Sequence, residues 1–285
     1  MPGNATRGRD GVADMPTVRT NEIDIYYEVT GAGEPLVLIA GYGCDHAIWS
    51  LIVPTLATHH RVYVFDNRAI GRSTGEGTVA SIEQMAADTA GLIDALDLGA
   101  VHLAGHSMGG MIAQELAAAH PNRVRSLALL SSCARLDERT RAIIESWGDL
   151  AGWLDAGKSS RLILPWIYTS RFYAQPSLVD GLIALILANP LPPSPQTLHA
   201  QSRAISHFDG TDRLGAIVCP TLVMAGKEDA LTTPGSLQQL ARGIKQTELA
   251  LLEGTGHGLL AETPEPVAAG LLSFLKRQSS PVARR

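Results

Sequence analysis

Only three cysteines occur in the 285 residues, Cys44, Cys133 and Cys219, and they are scattered. With no C-x-x-C pair and no His/Cys group at ligand spacing, the sequence argues against a disulfide framework, a structural zinc site and a dithiol redox motif. All three are expected to be buried free thiols in a reducing compartment, and neither a metal nor an organic cofactor is implied. Basic charge is short as well. The 23 Lys and Arg stand against 28 Asp and Glu, for a net charge of -5 and a pI near 6.0. The electrostatic footprint of a nucleic-acid binder is therefore missing. Long apolar runs are absent too: the most apolar stretch, Leu182 to Ala188, stops at Asn189-Pro190 and is far too short to span a bilayer. Residues 1–16 are polar and Gly-rich without the apolar core of a signal peptide. They are expected to be a disordered extension, with 279–285 as a tail, on a soluble cytoplasmic protein that binds neither membrane nor nucleic acid.

What is present is an alternation of two patterns. Short β-rich runs recur at wide intervals: Leu36 to Ala40, Arg61 to Phe65, Val101 to Ala104, Leu127 to Leu130, Thr221 to Ala225 and Glu248 to Leu252. Continuous apolar runs of this length predict strands covered on both faces, as in a mostly parallel sheet. Ile23 to Thr30 alternates instead and reads as a hairpin-type strand near an edge. Helical spacing appears between the runs, at Trp49 to Leu56, Ser81 to Leu96, Met108 to Ala119, Leu237 to Gly243 and Pro264 to Lys276. The order predicts an α/β fold, a doubly wound sheet with right-handed crossovers, whose ligands bind beyond the carboxyl ends of the strands. Residues 136–214 break the rhythm with helix-like pieces, a proline cluster and most of the remaining aromatics. They are expected to form a helical cap or lid inserted between two strands of a core made of 17–135 and 215–278.

The chemistry concentrates where a strand meets a helix. Gly105-His106-Ser107-Met108-Gly109 follows the run Val101 to Ala104 and precedes an Ala-rich helical stretch. That order suits a nucleophile elbow: the serine occupies a tight, strained turn, and the flanking glycines let strand and helix approach. A serine hydroxyl needs a base, and the base needs an orienting acid. Asp229 follows the strand Thr221 to Ala225, with Glu228 as its rival, and His257 lies in Gly254-Thr255-Gly256-His257-Gly258 just after Leu252. All three fall on the same rim of the sheet in the order Ser, Asp, His. Two N–H donors are also needed where an oxyanion develops. Met108 offers one at the positive end of its helix, and Tyr42, between Gly41 and Gly43, offers the second. Asp45 is read as a helix cap. Trp147, Trp166, Tyr168 and His106 are candidates for lining a substrate pocket, with His46 a further rim candidate. His59, His60, His120 and His199 are expected to face water, and His102 to lie in a buried strand. Arg161 and Arg171 are read as solvated helix residues.

On Gly41-Tyr42-Gly43, the elbow, Asp229, Gly256-His257 and the stretch Asp66-Asn67-Arg68-Ala69-Ile70-Gly71-Arg72-Ser73, the chain resembles the α/β-hydrolase-fold superfamily from about Val18 to Arg277. The last stretch usually reads D-x-R-G-x-G-x-S in that superfamily, and here Ala69 replaces the middle glycine. The resemblance implies a catalytic triad of Ser107, Asp229 and His257, oxyanion donors at Tyr42 and Met108, and no cofactor. Serine at the elbow separates the chain from the dehalogenase and epoxide-hydrolase branches, which carry aspartate there. The stretch Gly41-Tyr42-Gly43-Cys44-Asp45 with Trp49 is similar to enol-lactonases, small-ester esterases and small-ligand sensor hydrolases. The expectation is a serine hydrolase of a small, largely apolar ester or lactone. The alternatives are a carbon–carbon bond hydrolase of a vinylogous diketone and a slow-turnover sensor, the latter alone calling for a protein partner.

Overall fold

A computed structural model describes residues 16–75 and 81–278. The expectations for an extension over 1–16 and a tail over 279–285 therefore lie outside the described residues, save for residue 16. Eight strands form one sheet: β1 (Thr17–Thr20), β2 (Ile23–Thr30), β3 (Pro35–Ile39), β4 (Arg61–Phe65), β5 (Val101–His106), β6 (Val124–Leu130), β7 (Thr221–Gly226) and β8 (Thr247–Leu252). Their spatial order is β1-β2-β4-β3-β5-β6-β7-β8. β1, β2 and β4 pair antiparallel, and every pair from β4 across to β8 is parallel. The core helices are α1 (Val53–Leu56), α2 (Ile82–Ala95) and α3 (Met108–Ala119). Between β6 and β7 come α4 (Glu138–Leu150), α5 (Ala156–Ile167), α6 (Ser170–Tyr173), α7 (Pro176–Leu187) and α8 (Pro195–His207). α9 (Pro234–Gly243) lies between β7 and β8, and α10 (Leu259–Glu262) and α11 (Pro264–Gln278) follow β8.

The two faces of the sheet explain its apolar runs. Val37, Ile39, Leu103, Leu127, Leu129, Val223 and Ala225 pack against α2, α3 and α9 on one side. Their neighbours Leu36, Leu38, Ala104, Ala128, Leu130, Leu222 and Met224 pack against Trp49, α1, α10 and α11 on the other. Strand side chains alternate between faces, so only a strand apolar at every position satisfies both layers. β8 departs from the expectation of double coverage. It is the last strand in the order, and Leu249 and Leu251 are exposed there. The expected hairpin also forms on the other side: β2 folds back on β1, which precedes it.

The predicted helix from Trp49 to Leu56 is in fact a 3-10 turn, His46–Trp49, followed by α1. Pro54 is the cause, because a residue without an N–H cannot continue an incoming ladder but is favoured in a first turn. Asp45 caps the 3-10 turn, accepting from the Ala47 N–H at 2.9 Å. His60 is buried edge-on against His102, with ring centroids 5.5 Å apart, and does not face water. The turn after α1 folds it inward, its N–H donating to the Leu56 carbonyl.

The inserted helices divide by what they bury. Ile144 and Trp147 of α4 and Ala204 and Ile205 of α8 join the main core, whereas Leu164, Phe172, Val179 and Ile183 form a small cluster of their own. Leu185 and Leu187 of α7 are left exposed. Among the described residues, no helix is long and apolar enough to cross a membrane.

Candidate active site

Ser107 joins β5 to α3 with φ 54° and ψ -117°, in the region that L residues rarely occupy. The strain persists because its surroundings over-determine it. The Ser107 N–H donates to the Leu130 carbonyl at 2.9 Å, and its own carbonyl accepts from the Gly110 N–H and the Ser132 Oγ, both at 2.9 Å. A Cβ on Gly105 would stand 2.1 Å from the Gly109 carbonyl oxygen, and one on Gly109 the same distance from that of Ile39. The two glycines of the motif thus answer to backbone packing, which no side chain could survive.

The predicted partners converge on the serine. His257 Nε2 lies 3.0 Å from Ser107 Oγ, and His257 Nδ1 lies 3.0 and 3.1 Å from the two Asp229 carboxyl oxygens. His257 and Asp229 are buried away from bulk water, and Ser107 is partly exposed. Burial alone would push the Asp229 carboxyl up. The His257 charge and hydrogen bond, with donation from the Thr232 and Leu231 N–H groups, outweigh it and hold the carboxyl below its ordinary range. Glu228, the rival acid, is exposed. Since the Asp229 carboxylate is the acceptor at Nδ1, that nitrogen carries the proton and Nε2 is left basic toward the serine.

The loop after β3 runs against the same serine. A Cβ on Gly41 would come within 3.3 Å of the Ser107 Cβ and 3.1 Å of the His106 carbonyl oxygen. Tyr42 is the next residue on this loop, and Met108 opens α3, where first-turn N–H groups have no partner within the helix. The D-x-R-A-x-G-x-S stretch anchors this loop. Asn67 Nδ2 donates to the Ala40 carbonyl, while Asp66 accepts from the His46 N–H, the His46 ring and the Arg72 N–H. His46 is thereby a brace bonded to Asp66. Arg68 forms a buried two-bond pair with Asp88 of α2, at 2.7 Å for each bond.

The proposed pocket residues separate. The Trp147 ring lies 6.2 Å from that of Tyr42. Tyr168 stacks on Phe172 at 4.4 Å and covers Gly258, where a Cβ would stand 2.4 Å from the Tyr168 ring. His106 is buried behind His257, its Nε2 3.0 Å from the His257 carbonyl oxygen. Trp166 is 39% exposed. Two residues past buried Leu164 on α5 it has turned through about 200°, to the outward side of the helix. Cys133 and Cys219 are buried, whereas Cys44 is only half-buried, its Sγ against the Tyr42 carbonyl at 3.3 Å.

The contacts of three residues escaped the sequence. Glu262 accepts from the Thr169 N–H and Oγ1, each at 2.7 Å, and from the Gly256 N–H, tying the His257 loop to the inserted helices. Thr232 Oγ1 lies 3.4 Å from His257 Nδ1. Gln201 of α8 accepts from the Gly43 N–H at 2.9 Å. Only the spacing of Glu262 five residues after His257, inside one loop-helix unit, hinted at any of them.

A sheet of this order with a strained serine after β5, faced by a buried acid from the end of β7 and a histidine from the end of β8, defines a class. The α/β-hydrolase fold family model matches residues 34–264, and the chain belongs to that family of hydrolases. The chain is 34% identical over 263 residues to a protein of Azorhizobium caulinodans named "Putative carbamate hydrolase RutD", covering 91% of this chain and 98% of that one. A thermophilic esterase from Thermogutta terrifontis superposes with a TM-score of 0.81 at 29% identity, over 93% of this chain and 97% of its own. The enol-lactonase of Burkholderia xenovorans superposes with a TM-score of 0.81 at 24% identity, over 92% and 100% of the two chains, a likeness of fold.

Proposed function

We propose that this hydrolase cleaves a small carboxylic ester or lactone through an acyl-enzyme on Ser107. The observation that carries the reading is the unbroken line from Asp229 through His257 to Ser107, with about 3 Å at each step. Ser107 Oγ attacks the carbonyl carbon while His257 Nε2 takes the hydroxyl proton. The N–H groups of Tyr42 and Met108 receive the developing oxyanion, and Asp229 stabilises the imidazolium through Nδ1–H. Collapse breaks the bond to the leaving oxygen, which departs with the proton from His257; in a lactone that alcohol stays attached to the acyl chain. Water then gives a proton to His257 and its oxygen to the acyl carbon, and the proton returns to Ser107.

Trp147 and Tyr168 support an aliphatic or aromatic substrate body. A carbamate presents the same kind of carbonyl, and the Azorhizobium relative is named for one, so it belongs among the substrates tried. The test ranks alkyl esters, aryl esters, lactones and an aryl carbamate by kcat/KM, with Ser107→Ala alongside. Turnover in that variant falls by about three decades or more while the fold is retained. A quench after 4-nitrophenyl acetate leaves the acetyl mass on Ser107. Hydrolysis surviving in Ser107→Ala, or the mass on Cys44, removes Ser107 from the role.

A further inference from the structure

Gln201 is fully buried on α8, and one hydrogen bond settles which way its amide faces. The Gly43 N–H can only donate, so the group 2.9 Å from it is the Gln201 oxygen. The other end of the amide, Nε2, then holds two N–H donors, buried and without an acceptor among the described residues. Protein interiors leave few donors in that condition, because each has lost its water without replacement.

The location gives the orphan its meaning. Gly43 is two residues beyond Gly41, whose backbone passes against Ser107. Leu198, three residues before Gln201 on α8, packs at Gly43, its Cδ2 2.9 Å from where a Cβ would stand. Ser202 meanwhile packs against Gly148 of α4. One side of α8 therefore covers the loop that carries Tyr42, and Gln201 is the polar side chain on it. The Tyr42 hydroxyl is also buried with no partner among the described residues, and burial pushes its pKa up, so it remains a neutral donor.

Resting on the Ser107 reading, we propose that Gln201 reads the substrate: Oε1 braces the loop through Gly43, and Nε2, uncovered when a substrate displaces the side chains packed over it, donates to an oxygen that the substrate carries besides its scissile ester. That oxygen is neutral, a ketone, ether or second carbonyl. The groups set against this loop, Leu198, Trp147 and the Tyr42 phenol, bring no positive charge to balance a buried carboxylate. The preferred substrate is thus an oxo- or alkoxy-substituted ester or lactone, and a plain alkyl ester is a poorer fit. Gln201 is here a specificity-determining residue, and its brace is a separate, positioning role.

The probes are the 4-nitrophenyl esters of pentanoic, 3-methoxypropanoic and 4-oxopentanoic acids, similar in length and differing in the extra oxygen. Each kcat/KM is divided by the hydroxide-catalysed rate of the same ester, which removes intrinsic reactivity. In wild type the oxygen-bearing esters are favoured over pentanoate. In Gln201→Met and Gln201→Leu that preference falls about three- to tenfold, as expected for one lost neutral hydrogen bond. The fall appears in KM for the oxygen-bearing esters, whereas loss of the brace lowers kcat for all three. Unchanged preference in the variants, with or without a uniform drop in kcat, overturns the recognition role. Should both variants fail to fold, wild type decides: a preference no greater than hydroxide shows overturns the proposal. If wild type hydrolyses none of the esters faster than Ser107→Ala, the Ser107 reading falls, and this one with it.

Discussion

The His106 ring donates from Nε2 to the main-chain carbonyl of His257, at 3.0 Å. A carbonyl only accepts, so the tautomer is settled: Nε2 carries the proton and Nδ1 does not. The two rings lie 5.3 Å apart. The residue beside the serine thus holds the backbone of the residue that faces the serine. Burial, and then the neighbouring His257, push His106 down to about 4 from an ordinary 6.5. The unfolded chain binds this proton more readily, so His106 makes the fold lose stability as pH falls from about 6.5, the loss levelling off below about 4. The loss amounts to about 3 kcal/mol. Urea unfolding between pH 4.5 and 7.5 will show a smaller acid slope in His106→Phe than in wild type. Equal slopes would mean that His106 is not held neutral.

Glu262 holds the same loop from the other side, through the Gly256 N–H. Its second oxygen accepts two bonds from Thr169, at the start of α6. Glu262→Ala leaves those donors unmet where the inserted helices meet the loop, and the expected cost is about 2–4 kcal/mol. Because the loop carries His257, kcat falls as well, with KM less affected. Thermal melting and ester kinetics on one preparation check both, and an unaltered kcat would confine Glu262 to stability.

Ala69 stands where related sequences were expected to carry glycine, and its φ is +60°. The left-handed region costs an alanine about 1–2 kcal/mol. Its methyl is buried, so Ala69→Gly relieves that strain but gives up about 0.8 kcal/mol of burial and adds freedom to the unfolded chain. The terms nearly cancel, and stability stays within about 1 kcal/mol of wild type. Ala69→Val meets the same φ with a β-branched side chain and has no relief. It destabilises by about 2 kcal/mol or more. Melting temperatures of the pair decide this, and a well-tolerated valine would refute the assigned strain.

What the sequence made legible shares a cause. The elbow, Asp229, His257 and the parallel strands are each imposed locally, by a strained turn, by a strand end or by burial on both faces. What it hid depends on partners far along the chain. Thr17, Val18 and Thr20 are strand formers, but four residues are too short a run to mark a strand, and its stability comes from pairing with β2. Gln201 meets Gly43 across 158 positions, and Glu262 meets Thr169 across 93. Leu249 and Leu251 were misjudged because apolar character does not reveal that β8 is the last strand of the sheet. Trp166 stands partly exposed on α5, which the sequence did not show because an aromatic on a short helix can face either way. His59 and His60 read alike, yet only His60 is buried.

Asp229→Asn is the sharpest test of the line to Ser107, because the side chain's other bonds fix how an amide must sit. Oδ1 accepts from the Leu231 N–H at 2.9 Å and the Thr232 N–H at 2.8 Å. Asparagine keeps both bonds only by placing its oxygen there, which turns its NH2 toward His257 Nδ1. Nδ1 then faces the NH2 at 3.0 Å and, at 3.1 Å, an amide oxygen already accepting two N–H bonds; accepting from the NH2 moves the ring proton to Nε2, the atom 3.0 Å from Ser107 Oγ. An Nε2 that carries a proton cannot take one. The variant keeps its fold and its ester binding, yet kcat falls by about four decades, the loss expected when the base is held in the wrong tautomer. A loss under tenfold would mean that Asp229 does not set the tautomer, and would return Glu228 to consideration.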